Sequence, residues 1–116
     1  MSVESTFRGR KRGRPYISEA DFQATIIAIA RYHGWFVSHF RAVQTRSGWL
    51  TPVAADGKGF PDLVLCRERM IYAELKADKG SLKPEQKVWR DKLESAGAEY
   101  YLWRPRLIDE IERVLK

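Results

Sequence analysis

The segment from Asp62 to Lys76 constrains the fold more than any other stretch of the chain. Leu63-Val64-Leu65-Cys66 and Met70-Ile71-Tyr72-Ala73-Glu74-Leu75-Lys76 are largely apolar runs separated by the charged turn Arg67-Glu68-Arg69. That is the pattern of two strands joined by a short reversal. A hairpin centred on Glu68 sets Asp62 directly opposite Glu74. Cross-strand neighbours have Cβ atoms roughly 4.5–5.5 Å apart, and like charges at that spacing destabilise a sheet. Something must offset the repulsion. Lys76, two residues after Glu74, shares its face because strand side chains alternate. The convergence depends on register, since a slip of one residue would separate the three groups.

Around the hairpin the chain alternates between helical and extended patterns. Ser18 stands as a helix N-cap with Asp21 three residues on, and Phe22, Ile26 and Ile29 follow at helical spacing until Gly34 stops the run. Trp35-Phe36-Val37-Ser38-His39-Phe40 is aromatic and β-branched and reads as a strand. Residues 41–60 read as one long loop, a length that small domains often keep for function. Pro84 opens a second helix running through Val88, Trp89 and Leu93 to Gly97. Tyr100-Tyr101-Leu102-Trp103 forms a further strand, and Leu107, Ile108, Ile111, Val114 and Leu115 mark a closing amphipathic helix. The order is α-β-β-β-α-β-α, an α/β domain with a mixed sheet flanked by helices. Trp35, Trp89, Trp103 and Cys66 fall at core-like positions. Trp49, in the loop, is expected in solvent and placed to stack on an unpaired base.

Opposed carboxylates beside a lysine suit a divalent cation such as Mg²⁺, which is held by one or two carboxylates plus water. Phosphodiester hydrolysis uses such a cation to acidify a water and to neutralise charge growing on the phosphate. Lys76 is placed to orient that water or to steady the transition state. A plainer account of the same residues is a strand start at Asp62 and a surface ion pair between Glu74 and Lys76, since the bare pattern is common. No histidine or cysteine cluster suggests zinc, and no serine or cysteine nucleophile motif or Gly-rich phosphate loop is present. His39, beside the long loop, reads as a packing residue or a phosphate contact, and His33 as a favourable contact with a helix C-terminus.

Gly59-Phe60-Pro61-Asp62-Leu63-Val64-Leu65, Glu74-Leu75-Lys76, Pro84-Glu85-Gln86 and Trp103-Arg104-Pro105 together resemble the VRR-NUC family, a branch of the PD-(D/E)XK nuclease superfamily. The likeness runs from Ser18 to Lys116. It implies a restriction-endonuclease-like αβββαβ core with a C-terminal helix. It also implies a metal-dependent, structure-specific DNA endonuclease that uses Mg²⁺ or Mn²⁺ and acts as a homodimer on branched DNA such as Holliday junctions. By the same resemblance Asp62 and Glu74 would be metal ligands, the Leu75 carbonyl a further ligand, and Lys76 the catalytic lysine. Gln86 would reach toward the site from its helix, although a helix-start glutamine also sits comfortably in solvent. Glu19 matches an acidic residue on the first helix of such nucleases, a place that acids also favour for dipole reasons. Lys83 departs from the small capping residue that the family commonly carries before Pro84. Two other readings stay open: a DNA-binding module that keeps the fold without cutting, and an RNA-directed nuclease.

A chain of 116 residues with 44% hydrophobic content suits one domain with a genuine core. A single cysteine cannot form an internal disulfide, no apolar run is long enough to span a bilayer, and no signal-peptide layout follows Met1. Together these point to the cytoplasm, and the family resemblance implies association with nucleoid or viral DNA. The net charge of +6 is uneven: Arg8, Arg10, Lys11, Arg12 and Arg14 against Glu4 leave residues 1–16 at +4 and residues 17–116 at +2. Residues 1–16 therefore read as a flexible basic arm preceding a nuclease-like domain over 17–116. Its cations, with Arg41 and Arg46 of the loop, are candidate DNA contacts. Arg12-Gly13-Arg14-Pro15 resembles an AT-hook core that would enter a narrow minor groove, and a tail with nonspecific phosphate affinity is the simpler account.

Overall fold

The computed structural model describes residues 17–40, 43–50 and 53–116. The arm cations Arg8, Arg10, Lys11, Arg12 and Arg14, together with Arg41, lie outside the described residues. In chain order the elements are α1 (Glu19–Tyr32), β1 (Phe36–His39), β2 (Val43–Thr45), β3 (Gly48–Leu50), β4 (Leu63–Cys66), β5 (Met70–Leu75), α2 (Pro84–Ser95), β6 (Glu99–Trp103), a 3₁₀ turn (Pro105–Leu107) and α3 (Ile108–Leu115).

The start of α1 follows from its cap: Ser18 Oγ accepts the Asp21 N–H at 3.0 Å, and Glu19 and Asp21 lie at the positive end of the helix. Its end follows from Gly34, whose φ of 86° few other residues adopt. A single stripe, Phe22, Ile26 and Ala30, is buried.

The main sheet runs β1-β4-β5-β6, with antiparallel β1–β4 and β4–β5 pairs and a parallel β5–β6 pair. The parallel neighbour requires a crossover, which α2 supplies. Leu63, Leu65, Ile71, Ala73, Leu75 and Trp103 join the α1 stripe, Trp35, and Ile111 and Leu115 of α3 in one core. Burying side chains of this size stabilises by roughly 1.5–3 kcal/mol each. By contrast α2 buries no residue, so the sheet face it accompanies is more thinly covered. The candidate site lies on that face.

The turn of the β4–β5 hairpin also closes the ends of two helices. Arg67 donates to His33 O at 2.9 Å and Leu115 O at 3.3 Å, and Arg69 donates to Val114 O at 3.0 Å. Trp35 Nε1 donates to Leu115 O at 2.8 Å, while the Arg67 guanidinium lies 4.5 Å from the Trp35 ring centroid. Carbonyls that the helices leave unpaired at their C-termini are thereby satisfied.

Three expectations are corrected. Residues 41–60 are not one loop, because β2 and β3 pair as a separate antiparallel hairpin. Cys66 is exposed rather than in the core. With Leu63 and Leu65 facing inward, alternation turns Cys66 to the other face at the end of its strand. Trp89 is half-buried, since α2 only skims the sheet, and its Nε1 donates to Asp56 O at 2.9 Å.

Candidate active site

The approach to the site is built by Gly59-Phe60-Pro61-Asp62. Gly59 has φ 87°, and a Cβ there would lie 2.6 Å from the backbone carbonyl of Glu85. Only glycine lets this loop pack so closely on the first turn of α2. Phe60 is gripped edge-on by Phe40, Tyr72 and Trp89 at centroid distances of 5.5, 6.1 and 4.9 Å. Pro61 is fully buried. Rigid packing on both sides thus fixes where Asp62 enters the sheet.

The β4–β5 register pairs Leu63 with Ala73 and Cys66 with Met70, the alignment expected for a hairpin centred on Glu68. One step beyond it, Asp62 and Glu74 face one another. Asp62 Oδ2 accepts the Leu75 N–H at 3.0 Å. Glu74 is only 2% exposed. Its Oε2 accepts from Gln86 Nε2 at 3.0 Å and lies 3.8 Å from Lys76 Nζ. Its Oε1 is buried without a hydrogen-bond partner, a costly state for an ionised oxygen. Burial, and secondly the charge of Asp62, push the Glu74 carboxyl up to about 8. Asp62 is also held above its ordinary value, by burial first, against the lowering effect of the Leu75 N–H.

Gln86 joins this site to the start of its helix. Its Oε1 accepts the Lys83 N–H at 2.8 Å while its Nε2 holds Glu74. One side chain therefore replaces the cap that Lys83 cannot provide and fixes a carboxylate rotamer. Arg104 supports the segment after Lys76 by donating to Ala77 O and Gly80 O at 2.7 and 2.6 Å. Its role was not legible beforehand, because its partners are distant carbonyls with no side-chain signature.

Asp62, Glu74, Leu75, Lys76 and Gln86 line one cleft of about 650 Å³, together with Glu19, Ala20, Gln23, His39, Phe40 and Trp49. Leu75 commits its side chain to the core, so its contribution to the cleft is its peptide group. Glu19 is near enough for its charge to raise Asp62. Among the described residues, however, no three His, Cys, Asp or Glu side chains cluster as a ready-made cage. Arg46 is exposed in the β2–β3 turn and is not among the residues of the cleft. Gln23, Ala20 and His39 come from α1 and β1, and only folding brings them here. The pair fits a hard, oxygen-seeking cation: two acids share a dry position, and one buried carboxylate oxygen has no other partner. No helix among the described residues is long and apolar enough to cross a membrane.

The VRR-NUC domain matches the sequence over residues 19–106. Among solved structures, a VRR-NUC domain protein superposes with a TM-score of 0.61 over 87% of this chain and 87% of its own, at 18% identity, a likeness of fold. No curated protein sequence matches significantly. The matched span runs from the first residue of α1 to the turn after β6 and includes the carboxylate pair, Lys76 and Gln86. On that match the chain belongs to the VRR-NUC family of nucleases.

Proposed function

We propose that this chain is a metal-dependent, structure-specific DNA endonuclease that hydrolyses phosphodiester bonds in branched DNA such as Holliday junctions, with Asp62, Glu74, Lys76 and Gln86 as its catalytic set. The observation that carries the reading is the Glu74 carboxyl buried against Asp62, with its Oε1 left without a hydrogen-bond partner. A nuclease tolerates such a costly arrangement because a cation completes it. Mg²⁺ or Mn²⁺ bound by Asp62, Glu74 and the Leu75 carbonyl would supply an acidified water and neutralise phosphate charge. Lys76 keeps its ammonium at the cleft wall, where it steadies charge on the phosphate oxygens. Gln86 holds Glu74 in one rotamer, so the pair is organised before substrate arrives. The cations of residues 1–16 add phosphate affinity without contributing to the chemistry.

The test is cleavage of labelled four-way junction, duplex DNA and RNA of the same sequence, with and without Mn²⁺. Cutting is expected only with metal, best on the junction. It should fall to background in Asp62→Asn and by roughly a hundredfold or more in Lys76→Ala. Folded wild-type protein that cuts nothing in Mn²⁺ would sink the proposal and favour a binding module on a nuclease fold. Cutting confined to RNA would redirect the substrate class. Deleting residues 1–16 should weaken binding and flatten its salt dependence by about 0.9 in slope per lost phosphate contact, with saturating turnover unchanged.

A further inference from the structure

The cleft over the carboxylate pair is walled in part by aromatic surface for which the hydrolytic groups have no use. Phe40 directly follows β1, donates its N–H to Asp62 O at 3.2 Å, and is 42% exposed. Its ring is held edge-on against Phe60, so it presents a fixed apolar surface. Trp49 sits at the centre of β3, is 70% exposed, and lines the same cleft. Its register partner in β2 is Gln44. An indole is the largest apolar surface a side chain can leave in water, and here it lines the cleft that holds Asp62 and Glu74. The cleft volume of about 650 Å³ falls among those of small-ligand sites. A continuous duplex keeps its base faces stacked and offers a protein phosphates and groove edges. Only an unpaired nucleotide offers a free π-face.

We propose that Trp49, with Phe40 beside it, is the stacking platform for an unpaired nucleotide next to the scissile phosphate. It is then the residue that sets the preference for branched over continuous duplex DNA. The proposal rests on the nuclease reading, because the stacked base belongs to the strand presented to Asp62 and Glu74.

Binding is measured in the Asp62→Asn background, so that cleavage does not intervene. The probes are a DNA duplex with 2-aminopurine at an unpaired position of a branch point and the same duplex fully paired. The unpaired probe should be quenched on binding. Trp49→Ala should abolish the quench and weaken that probe by about 5- to 150-fold, the usual worth of one stacked base, with the paired duplex little changed. Trp49→Phe should retain most of both. Equal loss on the two probes, or no loss on either, overturns the proposal. So does an unaltered quench accompanied by a shift in sedimentation, which would assign Trp49 to contact between copies of the chain. The two readings fail separately. Absence of wild-type cleavage in Mn²⁺ overturns the nuclease, whereas normal cleavage without any effect of Trp49 overturns only the platform.

Discussion

At the scale of single residues, Glu74 sits where an isolated carboxylate is least welcome. Burial and the facing Asp62 raise its pKa from 4.5 to about 8, while Lys76 lowers it too little to compensate. The sign of the pH effect follows. A folded-state value above the unfolded one contributes stability that is complete below about 4.5 and is lost as pH rises through about 8. In metal-free buffer the protein should therefore lose stability across that window. Glu74→Gln should lose less and exceed wild type at alkaline pH by on the order of 2 kcal/mol. Mn²⁺ should reverse the ranking, raising the melting temperature of wild type and not of the variant. Thermal melts across pH, with and without metal, check both halves, and a wild-type melting temperature that is flat with pH would contradict them. Asp62 needs a gentler substitution than alanine, since its Oδ2 accepts the Leu75 N–H. Asparagine keeps that acceptor, whereas alanine strands a backbone donor at a cost of about 1–3 kcal/mol.

At the scale of elements, the site is a meeting of the β4–β5 hairpin, the Gly59 turn and the first turn of α2. Two glycines with nearly equal φ separate backbone conformation from close packing. Gly59 (φ 87°) would place a Cβ 2.6 Å from Glu85 backbone, whereas Gly97 (φ 84°) has nothing within 4 Å. Gly97→Ala should cost only the left-handed penalty, about 1 kcal/mol, and leave cleavage intact. Gly59→Ala adds a clash and should cost about 2–4 kcal/mol. It should also reduce cleavage in protein that remains folded, because the turn that delivers Asp62 must move. Urea denaturation alongside cleavage rates reads both variants, and equal effects would show that the close approach does not matter.

At the scale of the whole molecule, one chain carries one Asp62–Glu74–Lys76 site, and the four-way junction proposed as its substrate has two symmetric cutting points. Two copies about a twofold axis are therefore the expected working unit. The edge strand β1 leaves Phe36 85% exposed, with Tyr32 equally exposed at the end of α1, apolar surface suited to a second copy. Sedimentation equilibrium at micromolar concentration should give a dimer. A mixed dimer carrying one Lys76→Ala subunit should nick one strand and leave the opposite strand uncut. Paired cuts by a strict monomer would refute the assembly.

What the sequence determined by itself was local and periodic. The alternation of side chains and the short turn at Arg67-Glu68-Arg69 set Asp62 against Glu74 with Lys76 on the same face. Ser18 and Gly34 bounded α1 because caps act within one turn of chain. The motifs from Gly59 to Pro105 carried the family, and Gln86 was legible through them. Burial was legible for Phe22, Ile26, Trp35 and Trp103 but not for Trp89 and Cys66, because the depth of a residue depends on which distant element lies over it. The parallel β5–β6 pair obliges α2 to cross one face, where it skims the sheet. That crossing brings Gln86 onto Glu74 and leaves Trp89 half-buried, whereas Cys66 lies outside the core because alternation turns it to the other face at the end of β4. Arg67, Arg69 and Arg104 serve carbonyls remote in sequence, and a carbonyl has no residue type by which to announce itself. Pairing of β2 with β3, and the arrival of Trp49 in the cleft, came from tertiary placement as well. Short-range geometry wrote the chemistry of the site, and long-range packing decided how deeply it lies and what surrounds it.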